Sequence, residues 1–199
     1  MKIALYLGSF NPFHNGHLEV IKTALEDFKM DKVVIVPTMQ NPWKEEKVLD
    51  INKRIRIIFN SLYGIFSITN NDDSWDCSIG IPNYIELSLI EKNLIPPYYS
   101  YATLHALKNK YCNDEIFVLC GEDTIKDIPN WMHGEQIIKD YDFLIVDRPK
   151  YSISSTQIRD MIKTMHKMDA YYSDNKLAEL VSPNVINLIK EYYGDTTKN

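Results

Sequence analysis

The chain has 199 residues, 45% of them apolar and 25% charged, which is room for one globular domain with a core that needs no covalent staples. Its net charge of −5 argues against a basic face for nucleic acid. The three cysteines, Cys77, Cys112 and Cys120, share no CxxC spacing, and neither a leader-like opening nor a membrane-length apolar run occurs, so the expectation is a soluble cytoplasmic protein with no nucleic-acid and no membrane partner.

In chain order, Ile3 to Leu7 reads as a buried strand, followed by helical steps at Leu18, Ile21, Leu25 and Phe28. Val33 to Val36 is a second strand. A second helical stripe runs through Ile51, Ile55, Ile58 and Leu62, and Gly64 is placed to end it. Residues 70–83 are polar, hold Gly80 and Pro82, and read as a surface insertion. Leu104, Leu107 and Tyr111 mark a third helix, and Ile116 to Cys120 and Phe143 to Val146 two more strands. Ser154 or Ser155 can cap a helix through Ile158 and Ile162. Ser182-Pro183 opens a last helix over about 183–193, with Gly194 behind it and a tail at 195–199. The strands lack strict alternation, as in a parallel sheet buried on both faces. Strands alternating with helices predict one α/β domain over 1–194, a doubly wound three-layer α/β/α sandwich around a parallel sheet.

Glycine is scarce, with only 7 in the chain, and Gly8 and Gly16 bracket the first strand-to-helix turn, GSFNPFHNGH. Ligands of open α/β sheets sit beyond the carboxyl ends of strands, where this turn falls. A glycine there lets a ligand approach the backbone, and a helix start offers N–H groups to phosphate. His14 and His17 can each donate to an oxygen that gains charge in transfer. Two histidines could also cap the helix or bind a metal. The pattern is neither GxGxxG nor GxxxxGK[ST], which disfavours a dinucleotide fingerprint and a P-loop. Late in the chain, Ser154, Ser155 and Thr156 open a helix, with Arg159 one turn on, where its guanidinium can fork two phosphate oxygens.

These two stretches resemble the GxFxPxHxGH and ISSTxxR motifs of the HxGH nucleotidyltransferase superfamily, whose Rossmann-like fold this predicts. Three further segments resemble the bacterial nicotinate-nucleotide adenylyltransferases: Pro37 to Lys44 with its Pro-x-x-x-x-Pro-x-Lys spacing, Pro97 to Leu104 with Tyr99 and Thr103 matching, and Gly121-Glu122-Asp123 with Ile128-Pro129-Asn130-Trp131. Asp147-Arg148-Pro149 adds an Arg-Pro pair. Two departures stand out. Ala102 replaces a commonly polar position, and only Lys150, Tyr151 and Ser152 join Pro149 to Ile153, where the family has a longer stretch with another strand.

The resemblance implies adenylyl transfer from ATP to nicotinate mononucleotide, releasing pyrophosphate. It implies triphosphate charge on His14, His17, Lys44 and Arg159. ATP contacts would also come from Gly8, Ser9, Phe10, Gly121, Asp123, Arg148, Ser154, Ser155 and Thr156. The mononucleotide would meet Asn11, Lys44, Tyr99, Ser100 and Trp131. Magnesium would arrive with the ATP phosphates and take no ligand from the protein. Three alternatives stand beside it: nicotinamide mononucleotide as acceptor, phosphopantetheine adenylyl transfer, and a non-catalytic nucleotide-binding regulator. Oligomeric state, with a homodimer among the options, is left open, as are the roles of Trp43 and Gly134.

Overall fold

The computed structural model describes residues 1–39, 48–63, 83–147, 153–165 and 170–194. Lys44, Trp43, Arg148, Gly64, Gly80, nearly all of the 70–83 insertion, the 150–152 connection and the 195–199 tail lie outside the described residues. Five strands form one sheet: β1 (Lys2–Gly8), β2 (Lys32–Pro37), β3 (Ile85–Leu87), β4 (Glu115–Gly121) and β5 (Asp142–Val146). The order is β3-β2-β1-β4-β5, and every pairing is parallel. This is the doubly wound, Rossmann-like arrangement the alternating pattern predicts, with its topological switch between β1 and β4. The edge strand β3 has no counterpart among the sequence-predicted strands, because three residues give too short a run to show a period.

The chain divides into two compact units: Met1–Ser9 with Glu19–Val48 and Asn83–Pro149, and Phe10–Leu18 with Leu49–Pro82 and Lys150–Asn199. The first holds the sheet. Alternate strand residues Ile3, Leu5, Val34, Val36 and Val118 pack with Leu104, Leu107 and Tyr111 of the region of α3 (Ser100–Lys110) and with Ile137 of α5 (Gly134–Asp140). The intervening Ala4, Tyr6, Val33 and Ile35 are buried too, as are Val20, Ile21 and Ala24 on α1 (Asn15–Glu26), so β1 and β2 are buried on both faces. Between α3 and α5 stands the short α4 (Glu122–Asp127). Helix α1 stops before Phe28, two residues short of the helical steps read from the sequence. Lys29 takes φ 54, and the Met30 N–H returns to the Ala24 carbonyl, which closes the helix in a left-handed cap.

The second unit is helical. It contains α2 (Ile51–Tyr63), α6 (Ser155–Met165), α7 (Ala170–Ala178) and α8 (Ile186–Gly194). Asp50 caps α2, its Oδ1 accepting from the Asn52 N–H at 2.9 Å. The buried stripe of α2 is Ile51, Arg54, Ile57, Ile58, Ser61 and Leu62. Arg54 therefore occupies a core position that a hydrophobic period alone would not assign to it, and its Nε donates to the Leu49 carbonyl at 2.7 Å. Ser182 precedes a 3-10 turn at Pro183–Val185, not the α-helix itself, and its hydroxyl makes no cap bond. The turn is closed instead by the Val185 N–H on the Ser182 carbonyl. Gly194 is the last residue of α8, inside the helix and not behind it as expected.

Candidate active site

In the helical unit the GSFNPFHNGH turn and the start of α6 come together. Phe10 takes φ 45 and is buried, which turns the chain sharply into Asn11 and Pro12. The Ser155 hydroxyl donates to the Pro12 carbonyl at 2.8 Å, across 143 residues of chain. Arg159 donates to the Asn11 carbonyl at 2.7 Å and to the Thr156 hydroxyl at 3.2 Å. A buried guanidinium bonded to a main-chain carbonyl both anchors the loop and keeps a fixed positive charge beside it.

Asn11 is buried as well. Its Oδ1 accepts from the Tyr193 hydroxyl at 2.6 Å and from the Leu49 N–H at 3.3 Å, so the loop is braced by the last turn of α8 and by the chain entering α2. Burial pushes the Tyr193 phenol above its ordinary value, against the charges of Arg54 and Arg159, so the phenol keeps the proton it donates. Tyr193 and Arg54 were not expected at this loop. Neither carries a local signal: only the tertiary fold brings the Tyr193 hydroxyl to Asn11 and the Arg54 charge to bear on Tyr193.

The histidines occupy the start of α1. His14 is buried and His17 is partly exposed. Their rings stack with centroids 3.7 Å apart. Phe13 stacks on His17 at 5.2 Å, and Phe10 meets the same ring edge-on at 5.0 Å. The His14 N–H donates to His17 Nδ1 at 3.1 Å. An Nδ1 that accepts cannot also carry the proton, so the neutral ring is the Nε2–H tautomer. Phe13, wholly buried, is a positioning residue that lay unmarked between Pro12 and His14.

Ser154 and Gln157 form a reciprocal cap on α6. The Gln157 N–H donates to Ser154 Oγ at 3.2 Å, and the Ser154 N–H donates to Gln157 Oε1 at 2.8 Å. The hydroxyls of Ser154 and Ser155 thus both serve the protein's own framework. What this helix end offers an anion is its dipole and its outward N–H groups.

In the sheet unit, Gly8 ends β1 and Gly121 ends β4, and the pairing offset of these neighbouring strands, continued, sets the two glycines level. Ser9 follows at the strand end. Asp123 is exposed in the first turn of α4. Tyr99 precedes α3, and its side chain makes no cap bond to the helix that starts at Ser100. Trp131 is half-buried against the sheet core, held by its N–H on the Ile128 carbonyl at 2.9 Å. Gly134 now has a reason: a Cβ there would sit 1.9 Å from the Ile128 carbonyl oxygen. The Ile128–Trp131 turn and α5 can close on each other only over glycine. Among the described residues no group of three or more His, Cys, Asp or Glu side chains is placed to hold a metal, and no helix is long and apolar enough to cross a membrane.

A family model described as cytidylyltransferase-like matches residues 5–164. A relative from Aliarcobacter butzleri, named "Probable nicotinate-nucleotide adenylyltransferase", is 30% identical over 181 residues, covering 83% of this chain and 90% of that protein. The nicotinate-nucleotide adenylyltransferase of Bacillus subtilis is 26% identical over 200 residues, covering 92% and 96%. Among solved structures, the Plasmodium falciparum nicotinic acid mononucleotide adenylyltransferase complexed with NaAD superposes with a TM-score of 0.69 at 19% identity, covering 96% of this chain and 95% of that one. At that identity the likeness speaks to the fold.

Proposed function

This chain belongs to the cytidylyltransferase-like family, and from that premise we propose that it transfers the adenylyl group of ATP to nicotinate mononucleotide, giving nicotinate adenine dinucleotide and pyrophosphate. The observation that carries the reading is the convergence of the two phosphate motifs: Ser155 on the Pro12 carbonyl and Arg159 on the Asn11 carbonyl. The relatives' names supply the acceptor.

An oxygen of the acceptor phosphate attacks the α-phosphorus in line, the bond from that phosphorus to the bridging oxygen breaks, and pyrophosphate leaves. No side chain need act as nucleophile, so the protein's work is positioning and charge stabilisation. We assign His14 and His17 to the triphosphate, with His17 donating from Nε2. Arg159 and Lys44 supply positive charge. Gly8, Ser9, Phe10 and the start of α6 at Ser154, Ser155 and Thr156 supply close backbone approach. Gly121, Asp123 and Arg148 are assigned to adenosine. Tyr99, Ser100 and Trp131 are assigned to the mononucleotide, together with the amide of Asn11. Magnesium entering with ATP would neutralise phosphate charge, held by triphosphate oxygens and water, which agrees with the chemistry of a loop rich in imidazole and backbone donors and poor in carboxylates. The dispersed cysteines suit a reducing, cytoplasmic setting.

The test is pyrophosphate release from ATP with nicotinate mononucleotide, nicotinamide mononucleotide and phosphopantetheine as separate acceptors. The reading expects the nicotinate compound to be used with the highest kcat/KM. Equal use of both pyridine nucleotides, or release with phosphopantetheine alone, would overturn the acceptor. ATP binding without release from any acceptor would favour the regulator.

A further inference from the structure

Glu91 is a buried carboxylate that no motif marks. It lies in a 3-10 turn at Ile90–Asn93 after the edge strand β3 and is 1% exposed. Both of its oxygens accept hydrogen bonds, and from two different places. Oε2 takes the Met39 N–H at 2.6 Å, and Oε1 takes the Thr103 hydroxyl at 2.8 Å. Met39 follows the end of β2, and Thr103 lies in the first turn of α3. The Thr103 hydroxyl also approaches the Tyr99 carbonyl at 3.4 Å, and the Thr103 N–H donates to the same carbonyl at 3.2 Å. The backbone of Glu91 closes its own turn, its carbonyl accepting from the Leu94 N–H at 3.1 Å. One side chain therefore joins the chain leaving β2 to the first turn of α3.

A buried carboxylate is a costly way to hold two segments together. Taking it out of water is unfavourable, and an apolar contact of similar volume often stabilises as well. What the carboxylate supplies and an apolar contact cannot is direction: two acceptor oxygens set the distance and orientation of two donors at once. We infer that Glu91 is a positioning residue for the acceptor site, fixing the α3 start that carries Tyr99 and Ser100 relative to the chain after β2. The inference rests on the proposed function, in which Tyr99 and Ser100 contact the mononucleotide. Glu91 touches no reacting atom in this scheme and acts through Thr103 and Met39.

Three variants of the full chain test it, with KM measured separately for ATP and for nicotinate mononucleotide, and with mononucleotide binding titrated in the absence of ATP. Glu91→Ala removes both ties, and the acceptor KM should rise about tenfold or more while that of ATP stays within about twofold. Thr103→Val cuts only the tie to α3, and the acceptor KM should rise in the same sense, by about threefold or more. Glu91→Gln should rescue: its amide oxygen accepts from Met39, its amide nitrogen donates to Thr103 Oγ1, and the Thr103 proton turns to the Tyr99 carbonyl. If Glu91→Ala does not fold, Thr103→Val and Glu91→Gln decide alone. Unchanged acceptor KM and binding in Thr103→Val, an equal rise in both KM values, or a Glu91→Gln as impaired as Thr103→Val would each overturn the positioning role. Failure of the proposed function shows separately, as a wild-type chain that releases no pyrophosphate with nicotinate mononucleotide.

Discussion

His17 illustrates how much a single side chain's role depends on its immediate contacts. Phe10 and Phe13 grip the ring, and the His14 backbone N–H occupies Nδ1, so the ring is held neutral with its donor at Nε2–H. A contact made mainly to charge that develops in the transition state shows in turnover before it shows in binding. His17→Ala should lower kcat by about a hundredfold to a thousandfold, read as pyrophosphate release, with melting temperature within about 5 °C of the parent. His17→Gln keeps an N–H donor of similar reach and should retain clearly more turnover than alanine. Glutamine no better than alanine would mean that an N–H donor of this reach is not what the reaction uses. Asn11 makes the complementary point. Its Oδ1 is taken by Tyr193 and Leu49 and its carbonyl by Arg159, so a residue inside the motif braces the loop as well as lining it.

At the scale of elements, the short connections do the setting. The capping box of Ser154 and Gln157 fixes where α6 begins, and with it the direction of the helix end that faces the Asn11–Pro12 loop. The turn from Ile128 to Gly134 does the same for Trp131. Trp131 N–H bonds back to Ile128, Gly134 N–H bonds back to Trp131, and His133 takes φ 58 to let the chain through. Gly134→Ala would place a methyl carbon against the Ile128 carbonyl. Backbone has little room to yield, so the loss of stability in denaturant unfolding should be about 3 kcal/mol. The displaced turn should also raise the mononucleotide KM through Trp131. An alanine variant as stable as the parent would show that the turn relaxes freely.

At the scale of the whole molecule, the sheet unit is also held at its edge by charge. Glu86 on β3 meets Lys110 at 2.6 Å, the Tyr111 hydroxyl at 2.7 Å and Lys32 at 3.4 Å. Partial burial pushes its carboxyl up, but the hydrogen bonds from Lys110 and Tyr111, with the charges of Lys110 and Lys32, outweigh that and leave it below its ordinary value of 4.5. A carboxyl lowered by folding stabilises the fold fully above the unfolded value and loses that contribution as pH falls through the folded one. Unfolding free energy should therefore decline below about pH 5, and Glu86→Gln should flatten that decline. An unaltered pH profile in the variant would remove Glu86 as its source. The doubly wound order and four of five strands were legible in sequence because buried parallel strands and amphipathic helices carry their own local periods. Both motif turns were legible for a similar reason: a tight turn into a helix needs its glycines, cap and donors close together in sequence. Edge strand β3 was too short to leave a period, and Arg54, Glu91, Tyr193 and Gly134 look in sequence like ordinary surface, turn or helix residues. The roles of Glu91 and Tyr193 rest on donors and acceptors far apart in the chain, that of Gly134 on a backbone approach with no period, and that of Arg54 on a polar residue standing in an apolar stripe. So the sequence by itself determined the doubly wound order and where the two motif-bearing turns stand in it. Only the tertiary structure decided which buried side chains hold those turns in place, because a long-range hydrogen bond leaves no pattern along the chain.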